Sequence, residues 1–424
     1  MISSGGARAG GSIRARLGAA LLSMAMGAGA IGAGAIADAV AAEPSNGVVR
    51  IGVLNDQAGP YSDPQGPGSV ASAQLAIKDF GGKVLGKPIE LVVGDHQNKA
   101  DLGASIARKW IDVDGVDALV DFGNSAVSLA VQELAKNKAV ILNVSSVTDK
   151  LFGEACSPTG FVWNYDSSTI ANAMGRATVK SGGDTWFLIV ADYSFGHSLQ
   201  QQIERVVVPA GGKILGVARH PVTTTDFSAY LLQAQASKAK VIALLNAADN
   251  TINSIKQAGE FGIVEGGQKL AATAFYLTNV HALGLRTAQG LQFVTPFYWD
   301  QDDASREFTR RWRAERGTTN APTHLQAGVY SAVLAYLRAV EAAGTDDPVK
   351  VSEKIRELPV NDFFAKGAKV RADGRLMKGM TLYEVKSPAE SKGPWDYLKA
   401  IREMPAEEII RPLSESNCPY APAK

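Results

Sequence analysis

The chain has 424 residues, and its 43 basic and 42 acidic side chains leave a formal net charge of +1, a balance that gives no basis for a nucleic-acid or anionic-membrane surface. Charged residues make up 20% and apolar residues 46%, ordinary values for a globular protein with a substantial core. With an N-terminal leader set aside, the length predicts two domains or lobes.

Residues 1–41 read as an export signal. Arg8, Arg14 and Arg16 form a basic segment with no acidic residue before Asp38. The stretch 17–36 is built of Ala, Gly, Leu, Ile and Met, and Ala39-Val40-Ala41 offers a small-x-small cleavage site. The stretch is too rich in Gly for a good transmembrane helix, and no stop-transfer cluster of charges follows it. Gly27-Ala28-Gly29-Ala30-Ile31-Gly32 matches G-x-G-x-x-G, but it sits inside this leader and not between a strand and a helix, so it is set aside. No later segment reaches about 18 uninterrupted apolar residues. No cysteine stands near the cleavage site, so a soluble chain without a lipid anchor is expected. The only cysteines are Cys156 and Cys418. Outside the cytoplasm they favour one disulfide tying the C-terminal tail to the body, with two separate buried thiols as the alternative.

Beyond the leader, short apolar strands alternate with amphipathic helices. A strand over 48–54 ends in Asn55 and Asp56, and a Gly/Pro-rich loop over 58–68 leads to a helix over 70–80. Next come a strand over 89–93, a helix over 102–111, and a strand over 118–122 that runs into Gly123-Asn124-Ser125 and a helix through 135. A strand over 139–142 closes this half. The grammar restarts with a strand over 186–190, ending at Asp192, and a loop through Tyr193 and Phe195 into a helix. Strands over 213–217 and 241–245 flank a helix over 227–236, and a helix over 249–261 precedes a short strand over 291–294. Long helices over 304–315 and 325–343 and a β-rich segment over 369–385 complete the chain. Such alternation predicts βαβ units with parallel sheets, and two sets in tandem predict two similar lobes. Asn164-Tyr165-Asp166 and Thr295-Pro296-Phe297 read as crossings between them, the hinge of a clamp that closes on a ligand.

No catalytic constellation stands out. Gly196-His197-Ser198-Leu199-Gln200 approaches the nucleophile elbow G-x-S-x-G but lacks its last glycine. His96, His197, His220, His281 and His324 are scattered, without H-x-x-x-H spacing or a cysteine partner, and no G-x-x-x-x-G-K-[ST] loop occurs. No enzymatic activity, metal or cofactor is expected.

In open α/β sheets a ligand lies beyond the carboxyl ends of the strands, against helix N-termini. Those positions hold Asn124 and Ser125 after the third strand, and Ser145, Ser146 and Thr148 after the fourth. Hydroxyls and amides at helix N-termini suit a carboxylate, although each one singly also reads as an ordinary helix cap. The facing lobe offers Tyr193, Phe195, Asn246, Asp249, Phe275 and Tyr276, and aromatic rings with a few polar groups suit an apolar or aromatic body. Tyr61 in the first loop and Tyr165 and Asp166 in the first crossing join this candidate set.

Taken in order, VVRIGVLNDQAGPYSDPQGPGSVASAQLAI, FGNSAVSLAVQELAKNKAVILNVSSVTDKL, IVADYSFGHSL and AGVYSAVLAYLRAVEAAG resemble the periplasmic substrate-binding proteins of ABC importers, in the leucine-binding-protein-like, type I family of branched-chain amino acid receptors. The resemblance spans nearly the whole chain beyond the leader, and its specificity lies in the ordered combination. It implies an α/β type I fold: two Rossmann-like lobes with central parallel sheets, joined by a three-strand hinge. Residues 48–165 with 296–378 would form the N-terminal lobe, and 166–295 with 379–424 the C-terminal lobe and tail. It implies a monomeric periplasmic receptor that takes a small carboxylate to an ABC permease, with no nucleic-acid partner.

Carried over by position, Asn124, Ser125, Ser145, Ser146 and Thr148 form the carboxylate-binding set. Val147 stands where the family often has Thr, and Phe195 where amino acid binders commonly have Tyr. The segment AATAFYLTN has no acid where amino acid binders place the partner of the α-ammonium, so Asp249 or Asp166 would have to substitute. A buried ammonium without a partner is costly. Segments similar to CSPTGFVWNYD and ADYSFGH are associated with aromatic acid uptake, so a carboxylate without an amine is expected, with a branched-chain amino acid as the alternative. A sensory module of the same fold, or a secreted hydrolase using Ser198, are more distant alternatives.

Overall fold

The structure, a computed structural model, describes residues 45–422. The expected signal peptide, including its G-x-G-x-x-G match, lies outside the described residues.

The first strand, β1 (Val49–Asn55), is buried at every position except Arg50, as expected of a strand covered on both faces by helices. Helix α1 (Gly66–Phe80) opens with Pro67 in its first turn and stops at Gly81, whose φ of 103° is left-handed. The lobe continues with β2 (Lys83–Val84), β3 (Lys87–Asp95), α2 (Ala100–Asp112), β4 (Ala118–Asp121), α3 (Ser125–Ala135) and β5 (Val140–Asn143). A 3₁₀ turn (Asp149–Phe152) then leads to β6 (Gly160–Val162). The six strands form one sheet in the order β2-β3-β1-β4-β5-β6, parallel except for the β2–β3 hairpin. Trp110 of α2 lies against this sheet so closely that a Cβ at Gly52 or Gly94, on adjacent strands, would come within 3 Å of its ring.

The second lobe begins with α4 (Ser167–Lys180), β7 (Thr185–Ala191), α5 (Ser194–Val207), β8 (Lys213–His220), α6 (Ser228–Ala236), β9 (Val241–Ala247), α7 (Asp249–Glu260) and β10 (Lys269–Ala274). Its four strands form a parallel sheet in the order β10-β9-β7-β8. Two short helices, α8 (Leu277–Leu283) and α9 (Leu285–Ala288), lead to β11 (Gln292–Thr295). The chain then returns to the first lobe through α10 (Asp303–Arg316), α11 (His324–Ala343) and α12 (Pro348–Glu357). There Val333, Tyr336, Leu337 and Val340 of α11 share one buried cluster with Val49, Ile51, Val53 and Leu75. A hairpin of β12 (Val360–Asn361) and β13 (Lys366–Ala368) precedes β14 (Met380–Val385), β15 (Leu398–Met404) and α13 (Ala406–Ile409). Strand β14 joins β11 and β15 in an antiparallel sheet.

The expected β-rich run over 369–385 is only partly a strand. Before β14 its pairing is limited to the isolated bridges Val162↔Arg375 and Val370↔Leu376, because Asp373-Gly374 turns the chain (Gly374 φ 84°) and aims Arg375 inward. The fully buried Arg375 guanidinium is the centre of the hinge. Its Nε donates to Asp166 Oδ2 at 2.8 Å, Nη2 to the Asn164 carbonyl at 3.0 Å, and Nη1 to the carbonyls of Leu376 (2.7 Å) and Val162 (3.4 Å). Asp166 also accepts from the Thr169 amide at 2.8 Å and the Thr169 hydroxyl at 2.6 Å. Burial pushes the Asp166 carboxyl up, but Arg375 and the donors from Ser168 and Thr169 outweigh burial and hold it below the usual carboxylate range. Burial also pulls the Arg375 guanidinium down; with so many donors converging on Asp166, the pair is charged.

A disulfide joins Cys156 to Cys418 across 262 residues of sequence. It ties the tail to the first lobe, where Ser416 Oγ also donates to the Phe152 carbonyl at 3.2 Å and the Lys136 ammonium sits 5.2 Å from the Tyr420 ring.

Two outcomes follow from these links. Closing so long a loop constrains the unfolded chain by at most about 5.6 kcal/mol on the chain-entropy estimate. Cys418→Ser should therefore lower the melting temperature by several degrees in calorimetry while ligand affinity stays within about twofold; an unchanged melting temperature would count against the link. Arg375→Met should cost about 3–5 kcal/mol by stranding Asp166, and adding Asp166→Asn should recover much of that loss. Because the folded Asp166 is depressed, the pair's contribution is complete above pH ~4 and is lost as the pH falls through the folded value. Urea titrations at pH 6 and pH 3 should thus show a smaller acid loss in the double variant than in the wild type.

Candidate functional site

Strand β4 ends in a strained turn. Asp121 and Phe122 have φ of 91° and 74°, left-handed values that cost non-glycine residues on the order of 1–3 kcal/mol each. The turn is held by hydrogen bonds from the Phe122 amide to Leu54 O (2.9 Å) and from the Ser145 amide to Asp121 O (3.1 Å). The buried Asp121 carboxylate accepts from Asn55 Nδ2 at 2.7 Å and from the Ser145 hydroxyl. Burial pushes that carboxyl up despite these donors. The turn delivers Asn124 as the N-cap of α3, where its side-chain oxygen accepts from the amides of Ala126 (2.9 Å) and Val127 (3.3 Å). Ser125 Oγ accepts from the Val147 amide at 3.4 Å, and Ser146 and Ser128 share a hydroxyl contact. Thr148 Oγ1 is buried with no partner among the described residues. The five expected carboxylate-binding residues thus gather at the ends of β4 and β5. Much of their hydrogen-bonding capacity holds the site's own frame, while Thr148 remains free.

The facing wall is aromatic. Tyr61, Val147, Tyr165, Phe195, Ala248, Tyr276 and Leu325 belong to one buried cluster that draws on both lobes. The Tyr61 and Tyr193 hydroxyls meet at 3.0 Å across the lobes, and those of Tyr165 and Tyr276 at 2.9 Å. Tyr193 also stacks on Phe195 at 5.7 Å between ring centroids. Tyr61 is placed by Asp56, whose carboxylate accepts from the Gly59 amide (2.7 Å) and the Tyr61 amide (2.8 Å). Burial pushes the Tyr276 hydroxyl up to about 12 and raises those of Tyr61, Tyr165 and Tyr193 as well, so all four are neutral.

His324, the first residue of α11, completes this wall, with its ring 5.5 Å from Tyr276 and 4.9 Å from Tyr165. The sequence reading placed no ligand group there. Its signal was the helix start itself: Thr323 and Gln326 form a capping box around His324.

Several candidates lie elsewhere. Asp166 is consumed by the hinge, because Arg375, Ser168 and Thr169 occupy its oxygens. Asn246 donates to Ser254 Oγ (3.1 Å) and accepts from Thr251 Oγ1 (2.9 Å), enclosed within the second lobe. Phe275 packs edge-on against Phe293 at 5.1 Å in the separate core beside the second sheet. Asp249, the first residue of α7, is exposed but not remote from the Tyr61 loop, because partial burial and the nearby Asp63 and Asp56 raise its carboxyl. Ser198 donates to Asp149 at 2.8 Å and lies 2.6 Å from the Ser167 hydroxyl, whereas His197 pairs with Asp192 on the surface. Ser198 and His197 therefore do not form a nucleophile–base pair. Among the described residues no group of three or more His, Cys, Asp or Glu side chains could hold a metal ion, and no helix is long and apolar enough to cross a membrane.

Residues 48–394 match the sequence profile of a family described as periplasmic binding protein. The chain is similar to a periplasmic binding protein from Burkholderia mallei, at 44% identity and a TM-score of 0.86, covering 88% of this chain and 99% of that one. It is similar, at 40% identity and a TM-score of 0.77 over 88% and 99%, to a branched-chain amino acid ABC transporter periplasmic ligand-binding protein from Burkholderia xenovorans LB400. A solute-binding protein of an ABC transporter from R. palustris, solved with benzoate, shares the fold at 16% identity and a TM-score of 0.74, over 84% and 96%. No curated protein matches the chain.

Proposed function

Since this chain belongs to the periplasmic binding protein family, we propose that it is the solute receptor of an ABC uptake system. It is exported by a cleaved signal at residues 1–41 and works as a monomer. It captures a small carboxylate between a lobe of 48–165 with 296–378 and a lobe of 166–295 with 379–424, then delivers it to the permease. It carries out no chemistry on the solute.

One observation supports an acid without an amine: the buried carboxylates around the cleft are all committed within the protein. Asp56 holds the Tyr61 loop, Asp121 the β4 turn, Asp149 the hydroxyls of Ser167 and Ser198, and Asp166 the hinge. An ammonium buried among them would lack a free acid, at a cost of several kcal/mol. A donor for a carboxylate is at hand in the free Thr148 hydroxyl, and the positive end of α3 favours the charge, its Ala126 and Val127 amides being taken by Asn124. The tyrosine-rich wall suits a flat apolar body, and the R. palustris relative was solved with benzoate. An aromatic acid is therefore the preferred solute. A branched-chain amino acid is the second reading, favoured by the name of the Burkholderia xenovorans relative and by the exposed Asp249 carboxylate at the start of α7.

The purified mature chain should melt at higher temperature with benzoate-, hydroxybenzoate- or cinnamate-like acids and show no shift with leucine, isoleucine or valine. At 100-fold excess over Kd, a single-site ligand stabilises by roughly 2.7 kcal/mol, an effect easily seen by thermal shift. Thr148→Val should weaken the acid about tenfold in calorimetry, the worth of one hydrogen bond to a charged group. A shift with leucine and none with the aromatic acids would sink the ammonium-free reading.

A further inference from the structure

The aromatic wall contains a polar atom that the protein leaves unsatisfied. His324 is 4% exposed. Its carbonyl accepts from Asn164 Nδ2 at 2.9 Å, which ties this first turn of α11 to the hinge. Its ring is held nearly parallel to Tyr276 (28°) and edge-on to Tyr165 (75°). The hydroxyls of those two tyrosines meet each other, and neither is within hydrogen-bond reach of Nε2. Nε2 is buried and has no partner among the described residues. Burial alone pulls the ring down to about 3, with no acid opposing it, so the imidazole is neutral at any physiological pH.

A neutral imidazole presents one donor and one acceptor. Leaving a buried polar atom unmatched is costly, and such atoms are rare enough in folded proteins that each calls for an explanation. The surroundings constrain what would match this one. The neighbouring groups are neutral hydroxyls and aromatic faces, so this part of the cleft is polar without being charged. A hydrocarbon end would leave Nε2 unmatched. A second carboxylate would bring a full negative charge among rings that carry no cation. A hydroxyl suits either imidazole tautomer, because it both donates and accepts.

We propose, building on the reading of this protein as an aromatic acid receptor, that His324 is a specificity-determining residue that hydrogen-bonds an uncharged hydroxyl on the solute's ring. The carboxylate is held at the Thr148 and α3 end of the cleft, and His324 reads the remainder of the molecule. Binding sites built to hydrogen-bond a hydroxyl discriminate strongly against analogues that lack it, because the site's own buried group is then left unpaired.

The test compares Kd values for benzoate, 3-hydroxybenzoate and 4-hydroxybenzoate by calorimetry on the mature wild type, His324→Phe and His324→Gln. The wild type should bind at least one hydroxybenzoate roughly tenfold or more tightly than benzoate, as one added hydrogen bond to a buried partner predicts. His324→Phe should erase that preference. His324→Gln, which keeps a donor and an acceptor, should retain part of it and guards against a Phe variant that fails to fold. Equal affinity for all three acids in the wild type would overturn the role of His324 alone. So would an equal loss for every acid in both variants. Binding of leucine with no binding of any aromatic acid would overturn this role together with the functional reading beneath it.

Discussion

The buried Asp166–Arg375 pair is the contact on which the geometry of the whole clamp depends. Where the chain leaves the main sheets to cross between lobes, a buried carbonyl without a partner would be costly. Arg375 meets that need for Asn164 and Leu376, adds a long bond to Val162, and has its charge matched by Asp166. An unpaired charge at this depth would be strongly destabilising, whereas a fully satisfied network is rigid. The same network sets the start of α4, because Asp166 accepts the Thr169 amide. Through Asn164 it also sets the start of α11. Tyr165 lies between these two anchored residues, so the position of its ring in the cleft is inherited from the hinge.

The cleft faces of the two lobes share a second constraint. Where β4 and β9 give way to helices, the chain passes through left-handed non-glycine residues, Asp121 and Phe122 in one lobe and Ala248 in the other. Such backbone persists only where its surroundings over-determine it. For the first lobe those surroundings are visible in Asn55, Ser145 and the amide bonds to β1 and β4. The hydroxyls that the ligand reading counts as donors are therefore also the frame that holds the turn. Ser145 cannot be altered as a ligand contact without loosening Asp121.

The α/β alternation was legible because its signal is local. The runs in β1, β4 and β5 are buried almost without interruption, and buried parallel strands read as continuous apolar stretches. Helix α4 escaped because SSTIANAMGRATVK opens on small polar residues and lacks a broad apolar stripe. The ends of the strands suggest where the proposed site lies, but they do not give the tasks of its side chains. Ser145, Ser146 and Asp166 look alike as polar residues near a cleft, and only the folded chain shows that they serve Asp121, Ser128 and Arg375. The partner of Asp166 lies 209 residues away in sequence, far beyond any spacing rule. His324 was hidden for the same reason: before an apolar helix it is an unremarkable residue, and its meaning comes from Tyr165 and Tyr276 on other segments.

One contact between the lobes is charged, with Arg411 Nη1 3.4 Å from Asp149 Oδ2, and the others are milder. Tyr61 meets Tyr193 through neutral hydroxyls, and Ser198 reaches Asp149 through another, each worth about 0.5–1.5 kcal/mol net and somewhat more to a charged acceptor. A clamp latched by strong interlobe ion pairs would close without its solute and leave little for binding to decide. With one long ion pair, a few hydroxyl bonds and an aromatic cluster between the proposed lobes, a small acid's own contacts with both walls would tip the balance. The short, fully buried ion pair therefore sits in the hinge, where geometry must not vary, and longer or neutral contacts sit between the lobes.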